Sequence, residues 1–456
     1  MAKTIVPMTE GPIWKRITYF ALPLFFGNLF QQMYNTVDSL IVGNFLGSNA
    51  LAAVSSSSSL IFMLIGLFSG LSSGAGVIIS RYFGAKNIDS MQRSIHTTVA
   101  AGLIAGIILT VIGVGLSPQI LVLMSTPPAV MTESVAYLQV YFAGSLGFVM
   151  YNVFVGILQA VGDSRHPLYY LIVSSIVNLV LDVVFIRNFH MGVDGAALAT
   201  IISQFISALL CLFQLMGTAE NFRLRLKEIR IDRSILLQIV HLGLPSGIQN
   251  SIVAFANVVV QSNINAFGEM AMAGFGAYSK IEGFGFLPIT SFTMALTTFI
   301  SQNLGARQYE RVKKGTRFGI VTIVVLSELI GLGVFLLAPQ LIAAFDSTPE
   351  VVEFGILKAR TAAPFFFLVA CTHSFAAVLR GAGKTMVSMV VLISTWCVIR
   401  VAFLSITIPL THSIQMVCLV YPLTWFLSSL ALFIYYRKAD WIHSSLDKES
   451  SSPHEN

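Results

Sequence analysis

Two aspartates stand inside long apolar stretches. Asp38 lies in YNTVDSLIVGNFLG (Tyr34 to Gly47), at the end of a run that begins near Ile17, and Asp182 lies in NLVLDVVF. An ionised side chain in hydrocarbon costs at least ~2.5 kcal/mol on insertion scales, so such residues face a cavity or a partner and mark function. Asn178 sits one helical turn from Asp182 on the same face, and Thr200 and Gln204 follow in the next apolar stretch. No lysine or arginine inside the neighbouring apolar stretches neutralises the acids, so the missing cation is a mobile one, a proton or a sodium ion. Two carboxylates sharing a poorly hydrated site would not both ionise easily, which lets the pair load a proton on one side and release it on the other. Sodium would instead take oxygens from Asp38, Asn178, Asp182 and Thr200, the four cation-coupling candidates. Tyr34, Asn35, Tyr137, Tyr141 and Gln204 supply further polar groups for a cavity or a substrate. The bland alternative is that these residues hold helices together by hydrogen bonds.

The elements that must position them follow from composition. Of 456 residues 55% are hydrophobic and 11% charged, against roughly 25% charged in a soluble domain, so lipid must cover most of the surface. Twelve apolar segments are each long enough to cross ~30 Å of hydrocarbon as a helix. They run approximately over 14–43, 51–80, 95–116, 132–160, 167–187, 193–217, 235–265, 275–302, 318–338, 361–380, 386–408 and 413–436. The runs are too continuous for alternating barrel strands. The first is too long for a cleavable signal, so it is a permanent span. Four scattered cysteines and eight histidines suggest neither a disulfide framework nor a metal site.

Charge sets the orientation. With the N-terminus inside, 22 of the 27 lysines and arginines fall on cytoplasmic segments, as the positive-inside rule requires. Arg187, Lys358 and Arg360 fall outside, and Lys280 and Arg400 within spans. An even number of spans places both termini in the cytoplasm of a bacterial-type inner membrane. The basic residues line one membrane face, which excludes nucleic acid as a partner and makes the lipid bilayer the partner instead.

The chain also repeats itself. ISRYFGAK at 79–86 matches ISQNLGAR at 300–307, and LQAVGDS at 158–164 matches LRGAGKT at 379–385, both at an offset of 221. PLFFGNLFQQMYN at 23–35 matches PSGIQNSIVAFAN at 245–257, and MSTPP at 124–128 matches DSTPE at 346–350, at 222. Two homologous halves of six helices, running in the same sense, are the source of such offsets, an organisation shared by many transporters. The expected layout is an N-terminal lobe over 1–217, a cytoplasmic linker over 218–234, a C-terminal lobe over 235–436 and a polar cytoplasmic tail over 437–456. Asp38 then corresponds to Val260 and Asp182 to Phe403, so the acids belong to the first half alone and are not required by the shared fold. Counting ~1.5 Å per residue places the first half's polar groups roughly 7–17 Å below the outer interface.

The second half has its own charged candidates, Lys280, Glu282 and Arg400, with a Glu282–Arg400 pair as the structural expectation and gating or substrate contact as the functional one. Glu328 has no evident partner. RGAGKT at 380–385 lacks the earlier glycine of a phosphate loop (Val378 stands there) and follows no strand, so it is no nucleotide site. The serine run at 55–59 has no residue spaced to activate it and reads as close helix packing.

The two six-helix halves, PLFFGNLFQQMYNTVDSLIVG in the first helix, N-x-x-x-D in the fifth and GA(K/R) after the second and eighth resemble the multidrug and toxic compound extrusion family over about Ile13 to Tyr436. The resemblance implies an all-α integral membrane protein of twelve helices in two bundles arranged as a V. It implies export of organic, often aromatic cations in exchange for H+ or Na+, with no cofactor and no enzymatic step. The family's first-helix aspartate maps onto Asp38, and other family positions map onto Tyr137, Asn178, Asp182 and Thr200. One departure matters: a branch with coupling acids in its seventh and tenth helices has no counterpart here, where the seventh span offers Gln249. Sixteen Met and 34 Phe suit a deformable drug cavity, though most of them pack or face lipid. The chain is expected to act as a monomer on small-molecule drugs. The alternative is a flippase for a lipid-linked precursor, which a cationic central cavity would favour.

Overall fold

The computed structural model describes residues 7–124 and 126–443, leaving out the side chains at 48–49, 51–53, 55–60, 62–63 and 129. The side chains of the serine run at 55–59 and the tail beyond 443 therefore lie outside what is described. Helices make up the described chain, with no strand among them. The first half contains α1 (Ile13–Leu46), α2 (Ser48–Gly84), α3 (Ile88–Leu123), α4 (Pro128–Ala143), α5 (Ser145–Ala160), α6 (Arg165–Val183) and α7 (Val193–Gly217). The second contains α8 (Arg233–Asn265), α9 (Glu269–Gly305), α10 (Tyr309–Ala343), α11 (Pro349–Ala362), α12 (Phe366–Gly381), α13 (Thr385–Leu392), α14 (Arg400–Thr411) and α15 (Ile414–Lys438).

Ten described helices or joined helices are long and apolar enough to span a bilayer, and the pair α4/α5, bent by 47°, makes an eleventh. The twelfth expected span, α1, is helical over 34 residues, about 50 Å. It is too polar to count on composition because it carries Asn28, Gln31, Gln32, Asn35 and Asp38.

Turn geometry repeats with the sequence. Left-handed backbone occurs at Gly47 and Gly268, Lys86 and Arg307, Gly162 and Gly383, and His190 and His412, each pair 221 or 222 positions apart. Gly47 (φ 87, ψ −175) and Gly268 (φ 97, ψ 176) precede the second helix of each half. That region is open essentially to glycine alone. The fourth span is broken at the matching place in both halves, at Gly144 and at a 3-10 turn over Ala363–Phe365. In the second half the break is stitched to α10. Glu328 Oε1 accepts from Phe367 N at 2.7 Å and Ser327 Oγ donates to Phe366 O at 3.0 Å. A carboxylate at the start of α12 satisfies an amide that the break orphans. Glu328 thus has a structural partner.

The chain packs as two compact units, one of Phe26–Leu244 and the other of Met8–Phe25 with Pro245 onward. Both boundaries fall beside an in-helix proline, Pro23 in α1 and Pro245 in α8. In the C-terminal unit, Ile17, Phe20 and Leu24 of α1 pack with Leu296, Phe299 and Ile300. Met8 N also donates to Gln302 Oε1 at 2.9 Å. In the N-terminal unit, Ile235 and Ile239 of α8 pack with Ala75 and Ile78. There a Cβ on Gly74 would stand 2.4 Å from Gly243 N, so two glycines set the approach of α2 and α8. The 218–232 segment joins this unit through buried Phe222 and Leu224. Asp232 N donates to Thr97 Oγ1 at 3.0 Å, and Asp232 pairs with Arg93 at 3.2 Å.

Candidate functional site

α1 and α6 bring the two acids together inside the N-terminal unit. Asp182 is fully buried (0% exposed) and Asn178 nearly so, while Asp38 is half-buried. The Asp38 and Asp182 carboxyls are neighbours close enough to interact directly. Two carboxyl groups make that contact only when a proton or another cation lies between them. Oδ1 of each is buried without a hydrogen-bond partner among the described residues. With its amide oriented to match donors to acceptors, Asn178 donates to Asp182 Oδ2 at 3.1 Å and accepts from Thr200 N at 3.2 Å. Thr200 Oγ1 donates to Ala196 O at 3.1 Å. A π-helical turn, Val184–Asn188, begins directly after α6; single wide turns of this kind recur at functional sites because they re-aim the residues beside them.

Around the acids, Tyr34 and Tyr137 are close enough to feel both carboxyl charges. Tyr137 and Tyr141, one turn apart on α4, stack with centroids 6.3 Å apart, and Tyr141 meets Phe142 edge-on. Tyr141 also walls a small apolar gap with Ile65, Leu109 and Phe148. Gln204 Oε1 is buried and unpartnered. Asn35 is not part of the cluster: it is exposed, and its carbonyl caps Ser39 Oγ at 2.9 Å.

At the equivalent place in the C-terminal unit the acids are replaced by packing. Val260 and Phe403 belong to one apolar cluster with Ile264, Leu404 and Val417. The positions that meet as Asp38 and Asp182 in one half meet as hydrocarbon in the other.

The second half's charges are arranged differently from expectation. Lys280 is exposed. Glu282 accepts from Tyr278 Oη at 3.3 Å, and among the described residues no ion pair within 4.0 Å joins it to Arg400. Arg400, 2% exposed, donates from Nη2 to Thr424 Oγ1 at 2.9 Å and lies 4.6 Å from the Tyr421 ring centroid. Lys358 was expected outside the spans but is 3% exposed, with Nζ 3.0 Å from the same ring centroid. Its helix starts at Pro349, well before the expected span, because Val351, Gly355, Lys358, Ala359 and Ala362 form one buried face. That 3.6-residue spacing was the available signal.

Two six-helix repeats, each crossing the bilayer, with a buried acid pair in one of them, define a membrane transporter. The profile of the MatE family matches residues 23–184 and 245–406, one match to each repeat, starting 222 residues apart. The chain belongs to this family, and is a multi-pass transporter of the multidrug and toxic compound extrusion class, not an enzyme. It is 27% identical over 442 residues to the probable multidrug resistance protein YoeA of Bacillus subtilis, covering 94% of each chain. It is 28% identical over 409 residues to the probable multidrug resistance protein NorM of Thermotoga maritima, covering 86% of each. A solved structure described as the outward-facing conformation of a multidrug resistance MATE family transporter superposes with a TM-score of 0.90 at 25% identity, covering 98% of this chain and 99% of the other.

Proposed function

We propose that the chain is a secondary antiporter that exports organic, aromatic cations in exchange for a proton, with Asp38 and Asp182 as the coupling pair. The observation that carries this is the approach of the half-buried Asp38 of α1 to the buried Asp182 of α6, each with one buried, unpartnered oxygen. Asn178 and Thr200 position the pair. Asn178 accepts from Thr200 N and Thr200 Oγ1 donates to Ala196 O, and one oxygen of each carboxyl is buried without a partner. A proton shared by the two carboxyls needs no further ligand, whereas sodium would also draw on the remaining lone pairs of Asn178 Oδ1 and Thr200 Oγ1, so the gradient that drives efflux names the ion. Tyr34, Tyr137 and Tyr141 offer ring faces near negative charge, an arrangement that attracts aromatic cations. A drug and the ion competing for the same carboxylates produce exchange, since occupancy by one excludes the other. The relatives named as probable multidrug resistance proteins support drug export.

The buried cations Lys358 and Arg400 favour a second reading, a flippase for an anionic lipid-linked precursor. Ethidium efflux from energised vesicles separates the two. The parent should export under a proton gradient alone and Asp38→Asn should not; sodium-only efflux would reassign the ion. Equal efflux by parent and variant would reduce Asp38 to packing, and absence of efflux from the parent would support the flippase.

A further inference from the structure

The C-terminal unit holds a buried charge cluster that ion coupling does not use. Tyr278 and Glu282 come from α9, Lys358 from α11, Arg400 from the start of α14 just after a π-helical turn over Ile393–Ile399, and Tyr421 and Thr424 from α15. Within the one-residue range of the repeat offset, Lys358 falls on Tyr137, Arg400 on Asn178 and Tyr421 on Thr200. Corresponding helices in each bundle thus carry a polar cluster, acidic in the first half and cationic in the second, although the positions of the two acids themselves are apolar in the second.

Two cations share this cluster with one acid. Glu282 is engaged by the Tyr278 hydroxyl at 3.3 Å, and among the described residues no ion pair within 4.0 Å links it to either cation. Lys358 Nζ and Arg400 Nε are buried with no hydrogen-bond partner. The remaining groups near them are neutral: Tyr421, whose ring both cations approach, Trp396 at 5.3 Å from the Arg400 guanidinium, and the thiols Cys397 and Cys418. Ring faces offset part of the cost of burying two like charges but accept no N–H hydrogen bond in the plane of the guanidinium. A lysine and an arginine that share the Tyr421 ring, both desolvated and both with donors to spare, supply the donor types that recognise a carboxylate or a phosphate.

We propose that Lys358 and Arg400 form an oxyanion-binding site in the C-terminal unit that takes the carboxylate of an organic anion or zwitterion carried by the transporter. The assignment rests on the export reading and extends its substrates from simple cations to zwitterions. A phosphate of a membrane lipid has the same chemistry, so the test must separate the two sources.

Rhodamine 110, which has a free carboxylate, and its methyl ester rhodamine 123, which has none, form a matched pair. Their dissociation constants are measured by fluorescence anisotropy on the full chain in phosphatidylcholine nanodiscs. One charge-assisted contact is worth roughly tenfold or more in affinity, so the parent should hold the acid at least about tenfold tighter than the ester. Lys358→Gln and Arg400→Gln should each abolish that preference while the ester binds as in the parent, which also shows that the variants fold. Lys358→Arg should retain it. Equal loss of both dyes in the variants, or no preference in the parent, overturns the site while leaving the export reading standing. Binding of neither dye by the parent overturns both. Loss of the preference in the parent when soluble glycerophosphoglycerol is added to the phosphatidylcholine nanodiscs gives the site to a lipid-type phosphate and overturns the substrate assignment.

Discussion

Replacing Asp38 and Asp182 by asparagine, singly and together, tests whether the two acids act as one group. Two ionised carboxylates about 4 Å apart repel by about 4 kcal/mol at an effective dielectric of 20. In the proposed mechanism a pair of neighbouring carboxyls therefore keeps a cation between its members. One pH unit across the membrane supplies about 1.4 kcal/mol per proton, enough to sustain a tenfold gradient of one exchanged drug cation. Loss of either carboxyl destroys the pair, so each single variant should lower the proton-driven initial rate of ethidium efflux at least tenfold. The double variant should fall no further, because members of a unit are not additive. The assay is ethidium fluorescence in energised vesicles, with the amount of each variant fixed by detergent-extracted, size-fractionated protein. Losses that multiply to about a hundredfold, or 2.8 kcal/mol, would mean two independent sites and refute the paired mechanism.

Asn178→Ala removes the 3.1 Å donor to Asp182 and the acceptor for Thr200 N. Efflux at low driving force should drop by about tenfold or more, from one lost hydrogen bond to a carboxylate of about 1.5–3 kcal/mol, and unchanged efflux would remove Asn178 from the site. Glu328→Ala leaves Phe367 N uncapped and should lower stability in detergent melting by about 0.5–2 kcal/mol. Glu328→Gln keeps an acceptor and should melt near the parent, and neither change should alter the coupling ion. Gly268→Ala forces a side chain into backbone at φ 97, ψ 176 and should cost about 1–3 kcal/mol. Gly276→Ala, with open space around its Cβ, is the control.

Most of the expected spans were readable because hydrocarbon imposes one rule everywhere, a helix of sufficient length, apolar on its lipid side; ten or eleven meet it on composition. The repeat was readable because two halves of one fold keep the same turns, down to the left-handed residues at Lys86 and Arg307. Asp38, Asn178, Asp182 and Thr200 stood out because polar groups are expensive in lipid, which turns their mere presence into information. Sequence alone did not show that Asn178 reaches both Asp182 and Thr200 N, or that α1 and α6 bring the two carboxyls together. Hydrogen-bond partners depend on how α6 and α7 rotate in the bundle, and rotation is a property of packing. Lys358 was misplaced outside the membrane because a charge near a span's end looks the same whether it snorkels or is buried; only the helices that pack around α11 decide. The exchange of α1 and α8 segments between the two units was likewise invisible, since an unbroken helix in sequence carries no sign of which core each of its turns will join. The amino-acid order determined which residues must cross the bilayer and which of them were too costly to be there without purpose. The tertiary structure determined which of those residues meet, because burial and partnership are set by neighbours distant in the chain.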